Sequence, residues 1–192
     1  MKYINIYKNN EKTLSDDKLF SKKELLNKFE EFINNEEYKI EKIINYKSAP
    51  YELLISNPES ELFYLVIYLK NITGAGWKNK PSIRRVQVNN ILNKRPDSYI
   101  DTTKNKTFII LGYYNFDDNP IMVAWDAYRY IDPKTNRSAY IQIDTLLRGY
   151  KAGYLETVNA NQKIWVFTNP FFDKFLQDYI GYNEWRQHEN NF

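Results

Sequence analysis

Leu62-Phe63-Tyr64-Leu65-Val66-Ile67-Tyr68-Leu69 is apolar or aromatic at every position. A half-buried strand would alternate with period two and a surface helix would keep one polar side; this run does neither. It is short for a buried helix and rich in branched and aromatic residues, so it predicts a central strand covered on both faces. The chain beyond it differs in kind. Gly74-Ala75-Gly76-Trp77-Lys78-Asn79-Lys80-Pro81 is a glycine turn, and Arg84-Arg85-Val86-Gln87-Val88 is a second strand in which Arg85 and Gln87 fall on one face.

Charge marks the same stretch. Residues 62–96 hold seven cations (Lys70, Lys78, Lys80, Arg84, Arg85, Lys94 and Arg95) and no acid, a charge of +7. Residues 1–61 and 97–192 each carry ten cations against twelve acids, −2 apiece, within a chain of net charge +3. A nearly neutral protein has placed its positive excess in one segment, which speaks about partners rather than about fold. Cations, an indole and amide donors together suit a polyanion with readable base edges.

Upstream, Ser21 and Glu24 form a capping box and Phe20 and Leu25 take the positions of a hydrophobic staple. Leu25, Leu26, Phe29, Phe32 and Ile33 then recur at helical spacing, predicting a helix over residues 22–36 whose mixed charges face solvent. Residues 38–44 read as a strand or a short helical continuation, broken by Ala49-Pro50; residues 51–55 are short and apolar, and Asn57-Pro58-Glu59-Ser60 is a turn. Downstream, residues 107–114 and 121–126 predict a hairpin linked through Phe116-Asp117-Asp118-Asn119-Pro120. Residues 138–143 form a strand that gives way to a short helix, with Asp144 as its N-cap and Gly153 as its stop. Residues 163–168 are the last strand, and Asn169-Pro170 opens a final helix carrying Phe171, Phe172, Phe175, Leu176, Tyr179 and Ile180 on its apolar side.

Successive short strands with few helices predict a mainly β (α+β) protein: an antiparallel or mixed sheet curled into a barrel, with an N-terminal helix, one short internal helix and a C-terminal helix. A length of 192 residues suits one domain, with an N-terminal helical extension over about residues 1–60 and a core over about 61–182. The chain has no cysteine, which excludes disulfides and thiolate metal sites. The first ten residues are polar, and no apolar run nears the roughly 20 residues that span a bilayer. The expectation is a cytoplasmic protein that does not enter membranes.

Catalytic machinery is not legible. The one histidine, His188, lies near a polar C-terminus, which leaves a triad or a zinc site without its parts. Gly74-Ala75-Gly76 lacks the further glycine and helix of a phosphate-cradling loop. Pro96-Asp97, Asp101 and Lys104 approach the proline-aspartate, acid, lysine pattern of restriction nucleases, but Thr102 stands where that pattern has its second acid. Asp126, Asp132 and Asp144 fit a hairpin end, a turn before Pro133 and a helix cap. No catalytic residue, cofactor or metal is expected.

A second basic excursion runs from Arg129 to Ser138 through Tyr130, Ile131, Asp132, Pro133, Lys134, Thr135, Asn136 and Arg137, with Lys151 closing the short helix nearby. Together these define a candidate surface for double-stranded DNA. Lys78, Lys80, Arg84 and Arg85 would hold phosphates or guanine edges, Gln87, Asn136 and Arg137 would read bases, Trp77 would wedge or stack, and Arg129, Lys134 and Lys151 complete the set. Two other classes stay open: a metal-dependent nuclease acting through this chain alone, and a protein-interaction module using the aromatic surface.

The series Arg84-Arg85-Val86-Gln87, Phe108-Ile109-Ile110-Leu111-Gly112-Tyr113, Ile121-Met122-Val123-Ala124-Trp125-Asp126, Ser138-Ala139-Tyr140-Ile141-Gln142 and Lys163-Ile164-Trp165-Val166-Phe167 resembles the DNA-recognition domains of restriction systems, as in LlaJI-like systems with a McrBC-type motor. The resemblance covers residues 62–180. It implies a plant-B-three-like pseudobarrel, as in the EcoRII N-terminal domain, whose two arms clamp duplex DNA. By position, residues 74–87 would be one arm and 129–138 the other. It also implies an effector nuclease or motor as partner and a role in defence against foreign DNA. The lack of a catalytic constellation leads to the expectation that the chain is one piece of a longer polypeptide.

Overall fold

A computed structural model describes residues 3–8, 11–16, 19–34, 37–45, 49–77, 79–80, 82–88, 106–116, 119–130 and 137–189. Strand β1 (Tyr3–Lys8) pairs with β2 (Glu11–Asp16) as a separate antiparallel hairpin. Helix α1 (Lys22–Asn34) comes next, opened by the capping box that the sequence predicts. The Ser21 amide donates to Glu24 Oε2 at 2.7 Å and the Glu24 amide donates to Ser21 Oγ at 3.3 Å. These bonds hold the Glu24 carboxyl below its ordinary range.

The main sheet has seven strands: β3 (Lys39–Asn45), β4 (Tyr51–Ser56), β5 (Leu62–Asn71), β8 (Lys106–Phe116), β9 (Asn119–Trp125), β11 (Tyr154–Asn159) and β12 (Gln162–Phe167). Their spatial order is β11-β12-β9-β8-β5-β4-β3, antiparallel except where β5 runs parallel to β8. The parallel pair sits at the centre, and the connection between its strands carries two shorter ones, β6 (Thr73–Gly74) and β7 (Ile83–Val88). These join β10 (Arg137–Gln142) in a second antiparallel sheet of order β10-β7-β6. Helix α2 (Ile143–Ala152) continues from β10, and α3 (Phe172–Glu189) ends the described chain after a short 3-10 turn at Asn169–Phe171.

The molecule has three layers because both faces of the main sheet are apolar. Odd positions of β5, Leu65, Ile67 and Leu69, join Phe29, Phe32 and Ile33 of α1 and Phe172, Phe175 and Tyr179 of α3 in one core. The even positions Val66 and Tyr68 meet Val86 and Val88 of β7, Ala139 and Ile141 of β10, and Leu146 of α2 in the other. Alternate residues of a strand point to opposite faces, so the doubly apolar run at residues 62–69 requires cover on both sides.

That layering also keeps the sheet open. Its edges are β11 and β3, and it does not close into the barrel expected from the sequence, because its second face is covered by the separate small sheet. The mainly β, α+β class stands, with three α-helices among the described residues. Residues 39–45 and 51–56 extend the same sheet, and α1 packs on the same core, so these segments share in the central body. Asp144 is not the cap of α2: the helix starts two residues earlier than that cap implies, at Ile143, with Gln142 at the N-cap and Asp144 in the first turn. Gly153 does stop it, at φ 79° in the left-handed region where glycine carries no Cβ penalty. Among the described residues, no helix is long and apolar enough to cross a membrane.

Candidate functional site

The small sheet has an inner face closed onto the core and an outer face open to solvent. Along β7 the side chains alternate: Arg84, Val86 and Val88 point in, while Ile83, Arg85 and Gln87 point out. In β10, Ala139 and Ile141 point in, whereas Ser138, Tyr140 and Gln142 point out. The antiparallel register sets Arg85 opposite Tyr140, Gln87 opposite Ser138 and Ile83 opposite Gln142. Thr73 of β6 flanks Arg85 on its other side. Directly opposed residues share a face, so the outer surface carries the Arg85 cation beside the Tyr140 phenol and the Thr73 hydroxyl, the Gln87 amide beside the Ser138 hydroxyl, and the Gln142 amide farther along.

The loop from β6 to β7 folds back over this surface. Ala75 N–H donates to Ile83 O at 3.0 Å, extending the pairing by one bond, and Gly76 turns the chain at φ 78°. Lys80 N–H to Trp77 O at 3.2 Å and Ile83 N–H to Lys80 O at 3.1 Å close the rest of the loop. Trp77 comes to lie on Tyr140, ring centroids 5.1 Å apart and planes inclined by 30°. Its indole remains 43% exposed, and Lys80 Nζ stands 5.9 Å from the ring centre. The platform beneath is held to the main sheet by two polar bonds. Trp125 Nε1 donates to Tyr140 O at 3.2 Å and Tyr68 hydroxyl donates to Gln87 O at 3.3 Å.

The cations of residues 62–96 divide between environments. Lys80 and Arg85 belong to the outer surface. Arg84, expected to hold phosphate, is 1% exposed on the inner face and donates from Nη1 to Ile83 O at 3.3 Å. Lys70 sits at the carboxyl end of β5 with Nζ 5.2 Å from the Tyr68 ring centre, its ammonium pushed below the usual lysine range by burial and then by Lys22. Lys78, Lys94 and Arg95 lie outside the described residues.

The second basic excursion begins with a 3-10 turn, Ala127–Tyr130. Arg129 is exposed and donates from Nη1 to Ala160 O at 2.7 Å, and Arg137 donates from Nη1 to Arg129 O at 2.7 Å. A guanidinium has five N–H donors, so one carbonyl bond orients Arg129 without exhausting it. Tyr130 hydroxyl lies 2.9 Å from Gln162 Oε1, and burial pushes this phenol up to about 12. Lys134 and Asn136 lie outside the described residues, and Lys151 is exposed in the last turn of α2.

Of the acids weighed as catalytic candidates in the sequence, two are described, and one of them has a structural task. Asp126, at the end of β9, is fully buried and paired with Arg186 of α3, whose Nη1 is 2.8 Å from Oδ2. Asp144 is exposed, at the rim of a cleft of about 430 Å³ that also includes Gln142, Thr145, Arg148 and Asn159. Asp97, Asp101, Lys104 and Asp132 lie outside the described residues. Among the described residues no three acids or histidines converge as a metal site would require.

Sequence reading missed Tyr140 and Gln142, and it placed Ser138 at the end of the second basic excursion rather than beside Gln87. The signal was present in the alternation of Ser138-Ala139-Tyr140-Ile141-Gln142, which separates polar from apolar positions, but only the register with β7 shows that these residues border Arg85 and Gln87.

Fold and surface together define an α+β domain that exposes an aromatic, cationic and amide-bearing strand face on a braced platform. The chain belongs to the methylase-associated X1 family, whose model matches residues 63–180 and so takes in the small sheet, α2 and the main sheet apart from β3 and β4. This membership links it to the domains associated with restriction-modification systems. No curated protein and no solved structure matches the chain.

Proposed function

We propose that this chain is a double-stranded-DNA recognition domain that directs a restriction-modification system to its sites, with the methylase, nuclease or motor supplied by a partner. The observation that carries this reading is the outer face of the small sheet, where Arg85 and Gln87 project beside the Trp77–Tyr140 pair and Lys80. Cations meet phosphates, while guanidinium and carboxamide groups match base edges and the indole offers a stacking plane. The second arm of the proposal comprises Arg129, Lys134, Asn136, Arg137 and Lys151, and Lys78 joins the first. Arg84 is left out of the contact set because its side chain is spent inside the core. The finer likeness, to the plant-B-three-like and EcoRII N-terminal-like recognition domains of LlaJI/McrBC-type systems, is part of the same proposal. A role in defence against foreign DNA, exercised in the cytoplasm, goes with it.

Electrophoretic titration of a duplex at several salt concentrations tests the reading. The logarithm of the affinity should fall linearly with the logarithm of salt, with a slope of about −0.9 per neutralised phosphate. The double variant Lys80→Ala/Arg85→Ala should bind more weakly and with a shallower slope. A wild-type slope near zero refutes the proposal, and cleavage of the duplex by this chain with magnesium would instead assign it the nuclease activity.

A further inference from the structure

Resting on the proposed DNA recognition, we infer that the β7–β10 ribbon itself enters the major groove and that Arg85 and Gln87 are its specificity-determining residues. Arg85 takes a guanine, and Gln87 takes an adenine two base-pair steps along the same DNA strand.

The argument starts from the shape of the small sheet. Among the described residues β6 pairs only with Arg84 and Arg85 of β7, so the end of β7 at Gln87 has β10 as its one described neighbour in the sheet. A two-stranded antiparallel ribbon is one of the elements that the major groove, about 12 Å wide, admits. The Gln87–Ser138 end is that narrow. Beside Arg85, where Thr73 of β6 makes the sheet three strands wide, the Trp77–Tyr140–Lys80 cluster stands at the edge of the groove, a cation and a ring against the sugar-phosphate wall, and the long Arg85 side chain reaches from that edge to the bases.

Spacing then assigns the readers. Arg85 and Gln87 are two residues apart on one face, about 6.6 Å along an extended strand. Two base-pair steps of a duplex advance about 6.8 Å. The two side chains therefore match the spacing of bases separated by one intervening pair. A guanidinium fork pairs with guanine O6 and N7, and a carboxamide pairs with adenine N6 and N7. The platform bonds from Trp125 to Tyr140 O and from Tyr68 to Gln87 O fix the backbone of both ribbon strands, so each side chain leaves from a set height. Ser138, opposite Gln87, adds a hydroxyl that accepts either base.

Selection from a random duplex pool, run on the full chain and on two variants, tests this. The wild type should enrich a guanine and an adenine on one strand with a single pair between them. Gln87→Ala, at an exposed position, should lose the adenine preference by roughly 5- to 150-fold, the factor equivalent to one bidentate pair, and keep the guanine. Arg85→Ala removes every donor that the guanidinium offers guanine, so it should lose the guanine preference and keep the adenine. Replacing the selected guanine by 7-deazaguanine removes its N7 acceptor and should weaken the wild type while leaving Arg85→Ala unaffected. Variants that select the wild-type motif unchanged would overturn the ribbon assignment while leaving DNA binding in place. A wild type that binds no duplex would overturn both.

Discussion

Arg186→Met should destabilise the protein far more than Asp126→Asn, although both break the same ion pair. Asp126 has a side-chain exposure of 0%, against 27% for Arg186. Arg186 Nη1 stands 2.8 Å from Oδ2 and 3.0 Å from Oδ1, and Tyr182 hydroxyl donates to Oδ2 at 3.3 Å. Removing the guanidinium deprives a carboxylate in the interior, beside the Tyr182 phenol, of its Arg186 ion-pair partner. Breaking a buried pair in that way costs about 3–5 kcal/mol. Asp126→Asn instead keeps an acceptor oxygen and the side-chain volume, and the partly exposed guanidinium recovers water. The cost there is about 1–3 kcal/mol. Urea unfolding followed by tryptophan fluorescence reads the difference. With an m-value of about 2–3 kcal/mol/M, the Arg186→Met midpoint should fall by about 1–2.5 M. A midpoint within about 0.3 M of the wild type, or a larger loss in Asp126→Asn, would refute the claim that this pair fastens α3 to the sheet.

Two further outcomes test the packing. A Cβ on Gly149 of α2 would lie 2.3 Å from Val166 Cγ1 and 2.6 Å from Val166 Cβ, whereas one on Gly181 of α3 would meet nothing within 4 Å. Gly149→Ala should therefore lower Tm through a clash costing about 1–3 kcal/mol, and Gly181→Ala should raise it through about 1 kcal/mol of helix propensity. Calorimetry showing the same sign for both would overturn the close approach of α2 to β12. Burial pushes the phenols of Tyr130 and Tyr64 up to about 12, with the Glu52 carboxylate adding to the effect at Tyr64. Because the folded state holds these protons above the ordinary tyrosine value of about 10, their contribution is complete below that pH and is lost as pH climbs toward about 12. Denaturant midpoints should accordingly be lower at about pH 11 than at about pH 9, with phenolate absorbance rising as the chain unfolds. Unchanged midpoints across that window would contradict it.

How legible each element is in the sequence depends on where its information lies. The β5 run is apolar on both faces because both are covered, so its centrality was legible without any partner. Ser21 and Glu24 close their capping box within four residues, and Gly153 ends α2 by its own backbone freedom; both are local facts. Strand β11 escaped because an edge strand with exposed Glu156, Val158 and Asn159 has little apolar pattern to show, and what makes it a strand is its pairing with β12. The open sheet escaped for a related reason. Alternation says that β7 and β10 each bury one face, but not that they bury it on the back of β5 and β8 rather than by closing a barrel.

The site was legible through parity rather than through charge. Counting cations set Arg84 and Arg85 side by side as equals, yet successive residues of a strand face opposite ways, and the structure gives one to the core and the other to solvent. The same period puts Gln87 with Arg85 and, through the register, Tyr140 with both. Lys70, equally part of the +7 segment, ends against Tyr68 near Lys22, where burial works against its charge. A net charge therefore indicates that a polyanion is a fitting partner, while the strand period decides which of the charges can meet it. If that reasoning holds, moving the outward arginine of β7 by one residue should change DNA affinity while leaving the composition identical. The exchange Arg85→Val with Val86→Arg keeps the charge of β7 but turns it toward the core, so duplex binding in the electrophoretic titration should fall at least as far as in Arg85→Ala. Wild-type affinity in that exchange would show that total charge, and not strand parity, governs the contact.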